Sequence, residues 1–153
     1  MFLGVSTLNL DAKGCMAIPA KYRDALVDCC ASRVVVTINP SEDCLWLYPQ
    51  DQWDEIARKV ANLPTFNRGA QVLQRLLLGH ASELEMDAQG RILLSAPLRD
   101  YAGIEKKVSV IGHGRKLEIW KAEDMPEERE GWRGEFRDAL ENGLSGEIAG
   151  LSL

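Results

Sequence analysis

One segment of this chain occurs twice. Residues 8–26 read LNLDAKGCMAIPAKYRDAL, and residues 84–102 read LEMDAQGRILLSAPLRDYA. Aligned without gaps, Leu8 meets Leu84, Asp11 meets Asp87, Gly14 meets Gly90, Arg23 meets Arg99 and Asp24 meets Asp100, each pair 76 positions apart. After a two-residue deletion the correspondence resumes. Val34-Val35-Val36 faces Val108-Ser109-Val110, and Leu45-Trp46 faces Ile119-Trp120, now 74 apart. A unit of about 45 residues buries too little surface to stand alone. Two copies in 153 residues are therefore expected to pack as an intrachain pseudo-dimer.

Each copy carries the same run of local signals. Phe2 to Thr7 alternates and predicts an entry strand. Ala12-Lys13-Gly14 predicts a tight turn between Asn9-Leu10-Asp11 and Met16-Ala17-Ile18, a hairpin-like loop whose glycine permits positive φ. Pro19 suits the start of a short helix over 20–27, with Tyr22 and Leu26 on one face. The β-branched run Arg33–Ile38 predicts a buried strand, and Cys44–Tyr48 a second that Pro49 breaks. Trp53, Ile56, Ala57, Val60 and Leu63 recur at helical spacing up to Pro64, and Val72, Leu73, Leu76 and Leu77 mark another helix over 67–78. The unit then repeats with strands over 83–87 and 91–94, a turn at Gly90, a helix over 97–102 and strands over 107–111 and 116–121. Past Glu123, Trp132, Phe136 and Leu140 stand four apart and predict a longer helix with one apolar stripe. The closing GLSGEIAGLSL carries no element signal.

Composition narrows the function classes. The net charge of −5 argues against nucleic acid only until its distribution is read. Residues 123–153 hold nine acidic and three basic residues, whereas residues 1–122 hold fourteen acidic and fifteen basic. The acidity is local to the tail, which reads as a solvated helix face, and a near-neutral body can still present a basic surface. MFLGVST has neither the basic flank nor the apolar run of a signal peptide, and nothing approaches a membrane span, so a cytoplasmic location is expected. Cys15, Cys29, Cys30 and Cys44 lack CxxC spacing and lie far from His80 and His113. No metal site is expected, and Cys29 and Cys30 read as reduced core fillers. Without a nucleophile elbow, P-loop or dinucleotide fingerprint, the chain is read as no enzyme, with no cofactor and no small-molecule substrate.

The opening MFLG, the segments LDAKG and LEMDAQGRIL, then LRDYA and LEIW, in this order and spacing, resemble the MraZ family of bacterial transcriptional regulators over residues 1 to about 124. The resemblance implies an α+β fold of two tandem AbrB-like swapped-hairpin units forming an intrachain pseudo-dimer. On that reading, 5–52 is the first unit, 53–80 connecting helices, 81–124 the second unit and 125–153 an acidic C-terminal helix and tail. It also implies a ring-shaped homo-oligomer, nucleoid association, and regulation of a division and cell-wall gene cluster through G-containing direct repeats in double-stranded DNA. The family's Asp-x-x-x-Arg motif maps onto Asp87, Gly90 and Arg91 unaltered, and onto Asp11 and Gly14 with Cys15 at the arginine position.

The chemistry of the loop supports the same partner. A narrow tip fits a major groove, glycine keeps side chains out of the approach, and an Asp-held arginine can fork onto guanine O6 and N7. A thiol at position 15 cannot replace that fork, although Lys13 beside it can reach phosphate. Gln89 can contact adenine or phosphate. The candidate DNA-binding residues are Asp11, Lys13, Gly14, Asp87, Gln89, Gly90 and Arg91. Asp11 and Asp87 are expected on separate hairpins, not as a facing acid–base pair. Taken alone, Asp-x-x-Gly-Arg is also an ordinary turn. Arg23-Asp24 and Arg99-Asp100 read as structural pairs near a helix end, and Trp46 and Trp120 as core or subunit contacts. The competing function is an oligomeric interaction scaffold with weakened or lost DNA readout.

Overall fold

The computed structural model describes residues 1–153. The first repeat contributes β1 (Val5–Asn9), β2 (Cys15–Ala17), α1 (Ala20–Cys30), β3 (Arg33–Ile38) and β4 (Leu45–Pro49). Two helices come next, α2 (Gln50–Ala61) and α3 (Arg68–Leu77). The second repeat contributes β5 (Ser82–Glu85), β6 (Arg91–Leu93), α4 (Ala96–Ala102), β7 (Lys107–Gly112) and β8 (Leu117–Lys121). A 3-10 turn at Ala122–Asp124 leads to α5 (Met125–Asn142) and the short α6 (Gly146–Ala149). The chain divides into two units, Met1–Ala122 and Glu123–Leu153. No helix is long and apolar enough to cross a membrane.

The architecture is mixed α+β, and the two repeats build one sheet jointly. Six antiparallel strands run in the order β1-β7-β8-β4-β3-β5, and β2 pairs with β6 in a small second sheet. The first strand of each repeat thus lies on the third strand of the other: Leu8 faces Val108, and its equivalent Leu84 faces Val34. Where the repeats meet directly, residues face their own equivalents, Met16 against Ile92 and Leu45 against Ile119. Such self-pairing arises only on a two-fold relation, so the register relates the repeats by an approximate dyad.

This pairing corrects the expected hairpin. Asp11 N–H still donates to the Cys15 carbonyl at 3.0 Å, closing the loop, but β1 and β2 then part into different sheets. Three residues of β2 are satisfied by β6 of the other repeat instead. Other expectations shift less. The first helix runs on to Cys30, because Ala31 and Ser32 supply the left-handed stop (φ 52° and 67°) that no glycine announced. Pro49 ends β4 from within rather than beyond it, and the final segment contains a four-residue helix capped by Ser145.

Alternate residues along the central strands enter different cores. Val34, Val36, Ile38, Leu45, Leu47, Val108, Val110, Leu117 and Ile119 enter one core with Tyr22 and Leu26 of α1 and Leu98 of α4. Val35, on the opposite face, packs with Tyr48 and with Trp53, Val60 and Leu77 from α2 and α3. Thr37 on that face donates its hydroxyl to the Leu77 carbonyl at 2.7 Å. Beyond Arg33, strand β3 is buried at every position because helices cover both its faces.

The matched tryptophans converge on one carboxylate. Glu118, 9% exposed, accepts Trp46 Nε1 at 3.0 Å and Trp120 Nε1 at 3.3 Å. Its equivalent in the first repeat, 74 positions earlier, is Cys44, whose Sγ lies 3.9 Å from Glu118 Oε2. Burial, and then the Glu118 charge, push the Cys44 thiol up, so it stays protonated. The same two causes, in that order, raise the Tyr48 hydroxyl to about 12.

Cys29 and Cys30 depart from expectation too. Their sulfurs are joined, Cys30 is buried and Cys29 is exposed, so only one of them fills the core. Replacing Glu118 with alanine removes the buried acceptor that two indole N–H groups share at the seam between the repeats. Urea unfolding of Glu118→Ala is expected to show a loss of about 2–4 kcal/mol.

Candidate nucleic-acid interface

The two turns are built alike. In the first, Asp11 Oδ1 accepts the backbone N–H groups of Lys13 and Cys15, both at 2.9 Å. In the second, Asp87 Oδ1 accepts those of Gln89 and Arg91, also both at 2.9 Å. Gly14 N–H donates to the Asp11 carbonyl at 3.0 Å, and Gly90 N–H to the Asp87 carbonyl at 2.9 Å. Both glycines have positive φ, 92° and 77°, which an L side chain takes only under strain. An aspartate side chain and a glycine therefore set the turn, and the residue after the glycine is not needed for it.

That next residue separates the two tips. Arg91 Nε donates to Asp87 Oδ2 at 2.9 Å, with side-chain exposures of 49% and 42%. This bond uses Nε and leaves both terminal nitrogens open. Cys15 at the matching place makes no such fork and is half-buried. The backbone N–H of Cys15 is the main cause holding the Asp11 carboxyl below its ordinary value, and the backbone N–H of Arg91 does the same for Asp87. The Asp87 hydrogen bond, in turn, raises the Arg91 guanidinium.

Asp11 and Asp87 lie on separate turns, and the two tips are nonetheless neighbours. Antiparallel pairing of β2 with β6 sets Ala17 opposite Arg91 and Cys15 opposite Leu93. Asp11, Lys13, Cys15, Asp87 and Arg91 consequently line one open cleft of about 280 Å³. Gly14 and Gly90 are buried within their turns and Gln89 is exposed on the second turn. Four of the seven candidate residues, Asp11, Lys13, Asp87 and Arg91, thus share one cleft. The two carboxylates are engaged by backbone N–H groups, which leaves neither poised as an acid or base.

Sequence reasoning did not single out Arg23 and Arg99 for this surface. Neither takes up the expected pairing with its neighbouring aspartate. Arg23 Nε donates to the Ile18 carbonyl at 2.7 Å and Arg99 Nε to the Leu94 carbonyl at 3.0 Å. Each guanidinium lies against the turn glycine of the other repeat. Their matched positions were the available signal, but only the crossing of β2 and β6 shows which turn each supports.

Other concavities carry less chemistry. An apolar pocket of about 380 Å³ lies beside Phe2, Leu26 and Pro49, and none of the candidate residues lines it. At its edge Cys29, Cys30 and Asp51 bring ligand atoms within 4.8 Å of one another, but the joined sulfurs leave no thiolate for a metal.

Comparison with known proteins places the chain. A family model described as "MraZ protein, putative antitoxin-like" matches it twice in tandem, at residues 1–76 and 77–125. The chain belongs to the MraZ family. A protein of Thioalkalivibrio sulfidiphilus is 48% identical over 132 residues, covering 86% of this chain and 87% of that relative. One from Alkalilimnicola ehrlichii is 45% identical, and one from Halorhodospira halophila 46%, each over the full length of both chains. All three are named "Transcriptional regulator MraZ", a description of regulators and not of enzymes.

The depressed carboxylates give a pH prediction with a definite sign. A folded-state value below the unfolded one stabilises the tip fully above the ordinary 3.8, and that stabilisation is lost as pH falls through the depressed value. A carbon-13 titration of the Asp87 carboxyl is expected to show its midpoint below 3.8. A midpoint at or above it would contradict the turn geometry.

Proposed function

We propose that this chain is a sequence-specific DNA-binding transcriptional regulator that represses a division and cell-wall gene cluster, reading G-containing direct repeats through arginine at the turn tips. The names of its relatives support the regulator and, with it, double-stranded DNA as the partner. The reading of residues rests on one observation. The turn keeps its hydrogen bonds with cysteine or arginine after the glycine, yet at Arg91 an exposed guanidinium is held by Asp87. A positioned cation that the turn does not need for its own hydrogen bonds is what base readout requires.

In this mechanism Asp11 and Asp87 shape the tips, with Gly14 and Gly90 keeping them low enough to enter a major groove. Asp87 holds Arg91 extended, and its terminal nitrogens fork onto guanine O6 and N7. Lys13 contacts phosphate beside it, and Gln89 contacts adenine or phosphate. One fork discriminates by only about 1–3 kcal/mol. A ring-shaped homo-oligomer facing direct repeats multiplies it through effective concentration, and a head-to-tail ring suits direct repeats better than a palindrome. The supporting fold is the AbrB-like swapped-hairpin pair, with units at 5–52 and 81–124, connecting helices at 53–80 and a tail from 125, working in the cytoplasm at the nucleoid.

The purified chain is expected to shift DNA taken from just upstream of its own gene, with affinity falling steeply as salt rises. Arg91→Ala should cut the preference for that DNA over a scrambled duplex by roughly tenfold to a hundredfold while the oligomer stays intact. Equal preference in the mutant would refute the assignment. Cys15→Arg should strengthen binding, because the second fork is then restored on an existing turn. An oligomer with no preference for any duplex would instead support the scaffold reading that Cys15 and the acidic tail motivate.

A further inference from the structure

Two arginines outside the tips are placed as two-fold equivalents, and each reaches across to the other repeat. Arg23 Nε donates to the Ile18 carbonyl at 2.7 Å, and Ile18 N–H donates to the Gly90 carbonyl at 2.8 Å. The equivalent path runs from Arg99 Nε to the Leu94 carbonyl at 3.0 Å and from Leu94 N–H to the Gly14 carbonyl at 3.1 Å. The side chains also occupy the space the glycines leave. A Cβ added at Gly90 would stand 2.6 Å from Arg23 Cδ, and one at Gly14 would stand 2.9 Å from Arg99 Nε.

We infer that Arg23 and Arg99 are positioning residues, each of which fixes the turn of the opposite repeat, so that Arg23 of the first repeat sets the placement of Arg91 in the second. The inference rests on the reading of Arg91 as a base-contacting side chain. Its physical content is the orientation of one peptide. The Gly90 carbonyl belongs to the peptide that joins Gly90 to Arg91, and clamping it through Ile18 fixes the direction in which Arg91 leaves the backbone. Glycine alone makes that backbone permissive; the packed guanidinium removes the freedom. Lysine cannot substitute, because it lacks both the planar surface and the Nε–H donor.

The symmetry of the support meets an asymmetry of the tips. Arg23 supports the turn that carries Arg91, whereas Arg99 supports the turn that carries Cys15. Two residues with equivalent contacts therefore have different consequences. Loss of Arg23 should cost sequence preference. Loss of Arg99 should loosen the Lys13 turn and weaken binding to all duplexes alike.

Hydrogen-exchange mass spectrometry on the full chain tests the coupling without DNA. Arg23→Ala is expected to speed exchange in the segment containing Gly90 and Arg91, and Arg99→Ala in the segment containing Gly14 and Cys15. Arg23→Lys, the milder change, should do the same as Arg23→Ala with the fold retained. Unchanged exchange at Gly90–Arg91 in both Arg23 variants would overturn the inference.

Binding to the upstream duplex and to its scrambled counterpart, across a salt series, then separates positioning from direct contact. Positioning predicts a preference reduced about tenfold in both Arg23 variants, with the salt slope unchanged. A phosphate contact by Arg23 itself predicts a uniform loss, a slope smaller by about 1, and recovery in Arg23→Lys; that outcome would also overturn the inference. A wild-type chain without sequence preference would sink the DNA reading, while the exchange result would still decide whether the repeats support each other's turns.

Discussion

The antiparallel seam between the repeats is the constraint on which the rest of the structure depends. Strand β3 needs β5, and β7 needs β1, to satisfy their outer edges, so neither repeat can complete its own sheet. Buried backbone groups must be paired, and at these two outer edges the partner is the other copy. That requirement makes the small β2–β6 sheet possible, because the two short strands are delivered side by side around Met16 and Ile92. It also delivers the two turns to one cleft.

The turns illustrate how a fold can leave a position free for chemistry. In both repeats an aspartate accepting two N–H groups and a glycine at positive φ shape the loop without using the side chain that follows the glycine. The next residue is then under no structural obligation, and one copy carries a thiol while the other carries a guanidinium. The seam shows a comparable divergence away from the turns, where the buried Glu118 of one copy corresponds to Cys44 in the other and accepts the indoles of both. The two repeats share a symmetric scaffold, and the two sites are unequal within it.

Charge is arranged to suit that division. The tail carries the chain's net negative charge in its own compact unit, which includes an exposed stripe of Phe136 and Leu140 on α5. The body is close to neutral, and within it each turn carboxylate is already occupied by backbone donors. The cleft itself sets two cations, Lys13 and Arg91, beside the two carboxylates Asp11 and Asp87, so its formal charge is balanced despite an overall charge of −5.

The internal duplication, the Asp-x-x-Gly turns, the strand at Arg33–Ile38 and the amphipathic helices were all legible in the chain, because each is a local pattern of spacing and residue type. So was the loss of the arginine at Cys15. Partnership was not. Nothing local distinguishes a strand that pairs with its neighbour from one that crosses to another repeat, so the expected hairpin became a loop between two sheets. The same limit hid Arg23 and Arg99, whose contacts lie 67 and 85 positions away on the opposite turns. The stop of α1 was missed because Ala31 and Ser32 take a conformation usually marked by glycine. The sequence by itself determined the repeated unit and the side chains at its tips, since periodicity and turn chemistry act within a few residues. Only the tertiary structure decided that both tips share one surface and that each is braced by the other copy, because antiparallel pairing across a dyad joins residues far apart in the chain.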